Sequence, residues 1–280
     1  MGIFNKRKLL TLKTLNIMKK IMIVLCSIFL FSCSKENSDI DRTPENKVAS
    51  FEDYIKFMNT ETKNSLLIQS VSTLNSPNNL FTISARSLES NSALSFKLDG
   101  TDFSPSEITN NNNCTTWSRT DKDLTELYGK KLELSFSNNQ VLARSGSTNE
   151  TTTNIFIPEL VSVNVSNLVE GKVVPGTTIT WNIDTANANG MILAIEYSPL
   201  AQKEQAIAQT YSTRIMKGST VQDNGNYTIT ASDLESYPDN ATLSFYIGRA
   251  SFTITNDGNP NNDLSVGAYT VVRSDFKIDK

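Results

Sequence analysis

The chain has 280 residues, with 26 lysines and arginines, 29 aspartates and glutamates, and no histidine. Without histidine there is no Ser-His-Asp or Cys-His machinery and no ordinary zinc site. A net negative charge gains nothing from neutralising phosphates, which excludes nucleic acid as a natural partner. Catalysis would fall to a carboxylate pair or a Ser-Lys dyad. Neither has a local pattern here, so the expectation is a non-enzyme without cofactor.

Lys19 and Lys20 precede an eleven-residue apolar stretch, Ile21–Phe31. A spanning helix takes about 20 residues, so this length suits the core of a secretory signal peptide. Met18-Lys19-Lys20 begins such a signal by itself, which points to Met18 as the translation start. The stretch closes on Leu30-Phe31-Ser32-Cys33, which resembles a bacterial lipobox; Phe31 departs from it, where a smaller residue is usual. The resemblance implies that residues 1–32 are removed and that Cys33 is the lipidation site, carrying diacylglycerol and an amine-linked acyl chain such as palmitate. Two or more chains hold a protein stably on a membrane, where one does not. Cleavage removes six basic residues and no acidic one, leaving 20 basic against 29 acidic. Cys114 is then the only cysteine besides Cys33, so no intramolecular disulfide is available.

Residues 33–47 are polar and lack apolar periodicity, as a tether does. Their start, Ser34-Lys35-Glu36-Asn37-Ser38-Asp39, resembles that of mature outer-membrane lipoproteins of Bacteroidetes-type bacteria. That resemblance implies an outer-membrane location, with display on the outer face favoured over the periplasmic one. Next, Phe51, Tyr54, Ile55 and Met58 recur at helical spacing behind Ser50 and Asp53, which predicts a short capped amphipathic helix. Its polar face is not rich in Lys and Arg, so packing on the protein is expected rather than lying on a bilayer.

Strands are predicted at Leu66–Val71, Leu80–Ala85, Ala93–Leu98 and Lys130–Ser137, the last two by clear alternation. A polar loop is expected from Asn110 through Cys114 and Trp117. Residues 48–149 thus read as a small β-rich domain with a short helix, bounded by a Thr/Ser/Gly/Asn-rich linker at Ser145–Asn154.

Residues 156–280 carry predicted strands at Leu160–Val165, Thr177–Ile183, Met191–Tyr197, Tyr227–Thr230, Thr242–Ile247 and Tyr269–Val272. Turn pairs such as Pro175-Gly176, Asn189-Gly190 and Asn224-Gly225 fall between them, as in a β-sandwich. Gly176-Thr177-Thr178-Ile179-Thr180-Trp181 resembles the core-tryptophan strand of immunoglobulin-like domains. Asn224–Leu234 with Leu243–Arg249 resembles late strands of such modules in bacterial surface proteins. The resemblance implies a mainly β protein whose second domain is an Ig-like sandwich, apart from Pro199–Tyr211, which reads as an inserted short helix.

Three local features carry candidate chemistry. Asp257, Asn259, Asn261 and Asp263 place oxygens at alternate positions, like the first half of a calcium loop, but Asn262 and Ala268 stand where glycine and glutamate belong. A polar turn without metal is the expectation there. Trp117, among Thr116, Ser118 and Arg119, is the candidate for stacking on a sugar ring, whereas Trp181 alternates with Ile179 and Ile183 and belongs in a core. Asp184-Thr185-Ala186 resembles a short O-glycosylation motif of exported Bacteroidetes proteins. Together these features imply a lipid-anchored envelope protein presenting a non-catalytic binding or adhesion surface to a protein or glycan partner. The alternatives are a glycan-binding accessory lipoprotein of a polysaccharide-uptake system, and an envelope hydrolase with paired carboxylates.

Overall fold

The computed structural model describes residues 50–59, 62–74, 76–87, 92–103, 107–111, 114–120, 123–140, 150–198, 214–255 and 263–280. Asn46–Tyr54 and Glu61–Lys280 form one compact unit, and Ile55–Thr60 group with Met1–Glu45 in another. The fold is mainly β with a short helix, as the alternation implied.

Helix α1 (Phe51–Asn59) starts where its cap predicts. The Ser50 hydroxyl accepts from the Asp53 backbone N–H at 3.2 Å, and the Asp53 carboxylate accepts from the Ser50 backbone N–H at 2.8 Å. This reciprocal pairing satisfies donors that a bare helix start would leave open.

The strands of the first half are β1 (Asn64–Thr73), β2 (Ser76–Ser87), β3 (Ser92–Leu98), β4 (Thr101–Phe103), β5 (Glu107–Asn111), β6 (Cys114–Thr120), β7 (Lys130–Gln140) and β8 (Glu150–Ile157). Those of the second are β9 (Val163–Ser166), β10 (Thr178–Trp181), β11 (Met191–Tyr197), β12 (Ile215–Val221), β13 (Asn226–Thr228), β14 (Thr242–Thr255) and β15 (Leu264–Lys277). They form an eight-stranded sheet in the order β12-β11-β14-β15-β1-β2-β6-β5, a four-stranded sheet β4-β3-β7-β8 and a three-stranded sheet β13-β10-β9.

Within β9–β15, the first, second and fifth strands share one sheet, and the fourth, third, sixth and seventh share the other. That division matches the seven-strand immunoglobulin-type sandwich except at the fourth strand, β12, which lies at the edge of the other sheet. Trp181 lies on the second of the seven strands, whereas the antibody tryptophan lies on the third. In an isolated sandwich β15 would be an exposed edge. Here β1 pairs with it in parallel, from Asn64 opposite Leu264 to Thr73 opposite Arg273.

Two hydrophobic cores lie along one face of the large sheet. Leu264, Val266 and Ala268 of β15 pack with Leu66, Ile68, Ile83, Leu134 and Phe136 under the four-stranded sheet. Farther along the same face, Phe276 and Ile278 join Trp181, Leu193, Phe245 and Ile247 under the three-stranded sheet. Along the chain the first core runs to Ile157 and the second takes up from Val161, with β15 contributing to both, while the large sheet runs through the change.

The start of α1 sits on the opposite face. Tyr54 is buried, its ring edge-on to Phe252 at 5.4 Å and its hydroxyl donating to the Ala250 carbonyl at 2.9 Å. Phe51 covers Gly218, where an added Cβ would come within 2.6 Å of the ring.

Several expectations need correcting. The end of the supposed linker Ser145–Asn154 belongs to β8, whose Ile155 and Ile157 are buried against β7. Asn110 and Asn111 belong to β5 and Cys114 to Trp117 to β6, paired with Asn111 opposite Cys114, in place of the expected loop. Leu160–Val165 yields only the short β9. The edge strand β12 was not predicted, and the predicted helix at 199–211 lies outside the described residues. In β5 and β6 the composition is polar, so pairing rather than an apolar alternation marks them as strands.

Gly218→Val should lower stability by about 1–3 kcal/mol in urea unfolding through overpacking against Phe51. Adding Phe51→Ala should return part of that loss.

Candidate functional site

The segment that crosses from β8 to β9 is held by polar groups projecting from the second half. Arg249 extends the inward alternation of Leu243, Phe245 and Ile247 on β14 and is fully buried. Its Nε donates to Asp223 Oδ2 at 2.7 Å and its Nη2 to Asp223 Oδ1 at 3.2 Å, a bidentate pair. Its remaining donors reach the Glu159 carbonyl at 3.2 Å and the Asn182 carbonyl. Asp223 also accepts from Trp181 Nε1 at 2.8 Å and from Asn187 Nδ2 at 3.1 Å. Burial alone would raise the Asp223 carboxyl; the hydrogen bonds from Arg249, Asn187 and Trp181 and the Arg249 charge outweigh it and hold it below its ordinary range. The crossing segment is tied further by Thr270 to the Glu159 carbonyl, by the Glu159 N–H to Asp184 and by Asn182 to the Leu160 carbonyl. The Arg249 and Asp223 side chains are almost fully hidden from solvent and mutually matched, so this pair positions the chain.

The outer face of the large sheet carries a second polar cluster, in which Glu196 is buried while Arg214, Arg273 and Asp275 reach solvent. Register places Glu196 opposite Ser244 and Ser244 opposite Asp275, with Tyr246 opposite Arg273 one step along. The Glu196 carboxylate accepts from Arg214 Nε and from the Tyr246 hydroxyl, the latter at 2.7 Å. The Arg273 guanidinium lies 5.7 Å over the Tyr246 ring and donates to Ser244 at 3.0 Å; Ser244 in turn donates to Asp275 at 2.6 Å. Burial first, then the Glu196 charge, push the Tyr246 phenol well up, so it stays a hydrogen-bond donor at any physiological pH. Arg214 and Asp275 remain 43% and 53% exposed at the two ends of the row. The result is a row of paired charges and hydroxyls, preorganised by cross-strand contacts.

A smaller cleft opens beside β12 and β13. Leu193, Ile195, Ile179 and Phe245 form apolar walls, with Lys217 and Asp233 among the polar lining. Asp233 is already engaged by Tyr227 at 2.9 Å and by the Thr230 cap of a short helix, Ala231–Leu234.

No protein-family model and no curated protein matches this chain. Among solved structures, the full Ig1–Ig3 ectodomain of mouse nectin-like molecule 4 overlaps it at a TM-score of 0.24 and 9% identity. The overlap covers 75% of this chain and 64% of that one, so the chain spans less than two thirds of that ectodomain. So loose an overlap assigns nothing; the fold rests on the strand division itself.

Of the residues singled out in the sequence, Cys33 lies outside the described residues, as do Asp257, Asn259 and Asn261. Asp263 is described just before β15, with Oδ1 buried and without a partner among the described residues. Trp117 lies on β6, between Ala85 and Ile108 in register, and its side chain is outside the described set. Trp181 is in the second core, as its alternation implied. In the Asp184-Thr185-Ala186 motif, Asp184 is buried after β10, where it accepts from the Glu159 N–H of the crossing segment, and Thr185 is exposed. Among the described residues no three metal-binding side chains gather. Sequence reading missed Asp223, Glu196 and Arg273; Arg249 alone left a signal, an arginine at an inward position of an apolar alternation.

Arg249→Met should cost about 3–5 kcal/mol, because Asp223 is left buried without its partner. The double variant with Asp223→Leu should recover much of this in denaturant unfolding. Asp223 has a lowered folded pKa, so its contribution is complete above its unfolded value near 3.8 and is lost as pH falls through the folded value. Wild type should therefore lose more stability than Asp223→Asn on acidification below about pH 4.

Proposed function

We propose that this chain is a lipid-anchored cell-envelope protein that presents a non-catalytic binding or adhesion surface. The observation that carries the reading is the ordered series of Lys19-Lys20, a short apolar core and Leu30-Phe31-Ser32-Cys33, followed by a polar tether and a β body. No helix among the described residues is long and apolar enough to cross a membrane. In this reading Cys33 is consumed as the lipid attachment, and the tether of residues 33–47 sets the body off the bilayer. The partner-facing surface is the outer-face row at Ser244, Tyr246, Arg273 and Asp275, backed by the buried Glu196, on rigid strands rather than on loops.

That row also favours a second reading, a glycan-binding accessory lipoprotein. Carboxylates, guanidinium groups and hydroxyls fixed at cross-strand spacing are the chemistry that hydrogen-bonds sugar hydroxyls. If so, Arg273→Ala with Asp275→Ala should abolish retention on the recognised polysaccharide in affinity electrophoresis while the far-UV circular dichroism of the folded β body is retained.

The primary reading is tested by the intact mass of the protein from envelope fractions of wild type and Cys33→Ala, with protease shaving of whole cells. An acylated mass beginning at Cys33, absent from the variant, with loss of the body on shaving, is the expected result. Equal, unacylated masses in both would overturn the anchor, and acylation with full protection would place the body on the periplasmic side.

A further inference from the structure

The parallel pairing of β1 with β15 has a mechanical consequence. The chain enters β1 at Asn64 and leaves β15 after Lys277, and the strands run in the same direction over ten consecutive pairs. Tension between the segment before β1 and the segment after β15 pulls the two strands oppositely along their shared axis. Every hydrogen bond of the ladder is then loaded together, in shear. Pulling from the same end would instead open the pairs one after another.

The entry end is also pinned. The Asn64 N–H donates to the Asp263 carbonyl at 3.0 Å, and Thr62 and Ser265 share a hydroxyl contact at 2.7 Å. At the far end the Leu74 N–H donates to the Arg273 carbonyl at 3.3 Å. Slippage is opposed by side chains as well, since a one-residue shift would turn Leu66 and Ile68 out of the first core. β1 is held on its other side by antiparallel β2, and β15 by fourteen pairs with β14. A strand pulled lengthwise must break both flanking ladders at once.

We propose that the fold is a load-bearing link, in which tension between the N-terminal segment and the far end of β15 is carried as shear across β1–β15. The outer-face row lies at that far end, with Arg273 and Asp275 on β15 itself. A partner seated there would pull β15 away from the entry of β1. That this load arises in the cell rests on the anchored reading above; the clamp is a property of the fold.

The test is constant-velocity pulling of the full chain in two geometries, with handles coupled at residues 50 and 280, or at residues 50 and 259. The second pair pulls β1 and β15 apart from the same end. Forced unfolding reports the barrier rather than the equilibrium stability. The main rupture force should be at least about threefold higher in the first geometry, because the ladder breaks as a unit. A ratio below about two would overturn the clamp, since sequential and concerted rupture would then be indistinguishable. Neither result bears on acylation at Cys33, which the mass measurement decides separately.

Discussion

The parallel ladder between β1 and β15 is the constraint on which the rest depends. Parallel strands cannot be joined by a tight turn, and here residues 74–263, about two thirds of the chain, intervene between the partners. Because β1 occupies the side of β15 that would otherwise be an open edge, β2, β6 and β5 can extend the same sheet. The second half thereby supplies Leu264, Val266 and Ala268 to the first core. The first half, in return, closes an edge that would invite association with other chains. The Arg249–Asp223 pair acts at the same waist, fixing the crossing between β8 and β9 through the Glu159 and Asn182 carbonyls.

Covering one face of the large sheet twice leaves the other face for different work. The inward positions of β11, and those of β14 from Leu243 to Ile247, are apolar, whereas their outward neighbours include Glu196, Ser244 and Tyr246. The start of α1 takes the part of that outer face built from small residues, with Phe51 over Gly218 and Tyr54 at Ala250. The charged row next to it is held by its own contacts. A surface so ordered before any partner arrives loses little side-chain freedom on binding.

Much of this was legible wherever a strand buries one face. Leu132, Leu134 and Phe136, or Met191, Leu193, Ile195 and Tyr197, record their inward side in every second residue. β15 was legible only as Tyr269–Val272, because Gly267, Thr270, Arg273 and Asp275 interrupt its pattern and its membership is decided by the strands on either side. The hairpin of β5 and β6 is polar for the same reason. Asp223 could not be matched to Arg249 from the sequence, since they lie 26 residues apart on elements joined only by folding. Glu196 and Arg273 meet Tyr246 through register, which no local spacing records.

The most direct test of this account is native-state hydrogen exchange, comparing the slowest amides of β7 in the first core with those of β11 in the second. If the shared sheet makes one cooperative body, both strands will open with the same free energy, equal to that of global unfolding. Should β7 exchange through an opening that leaves β11 fully protected, the two cores unfold independently and the central role given to β1–β15 is wrong.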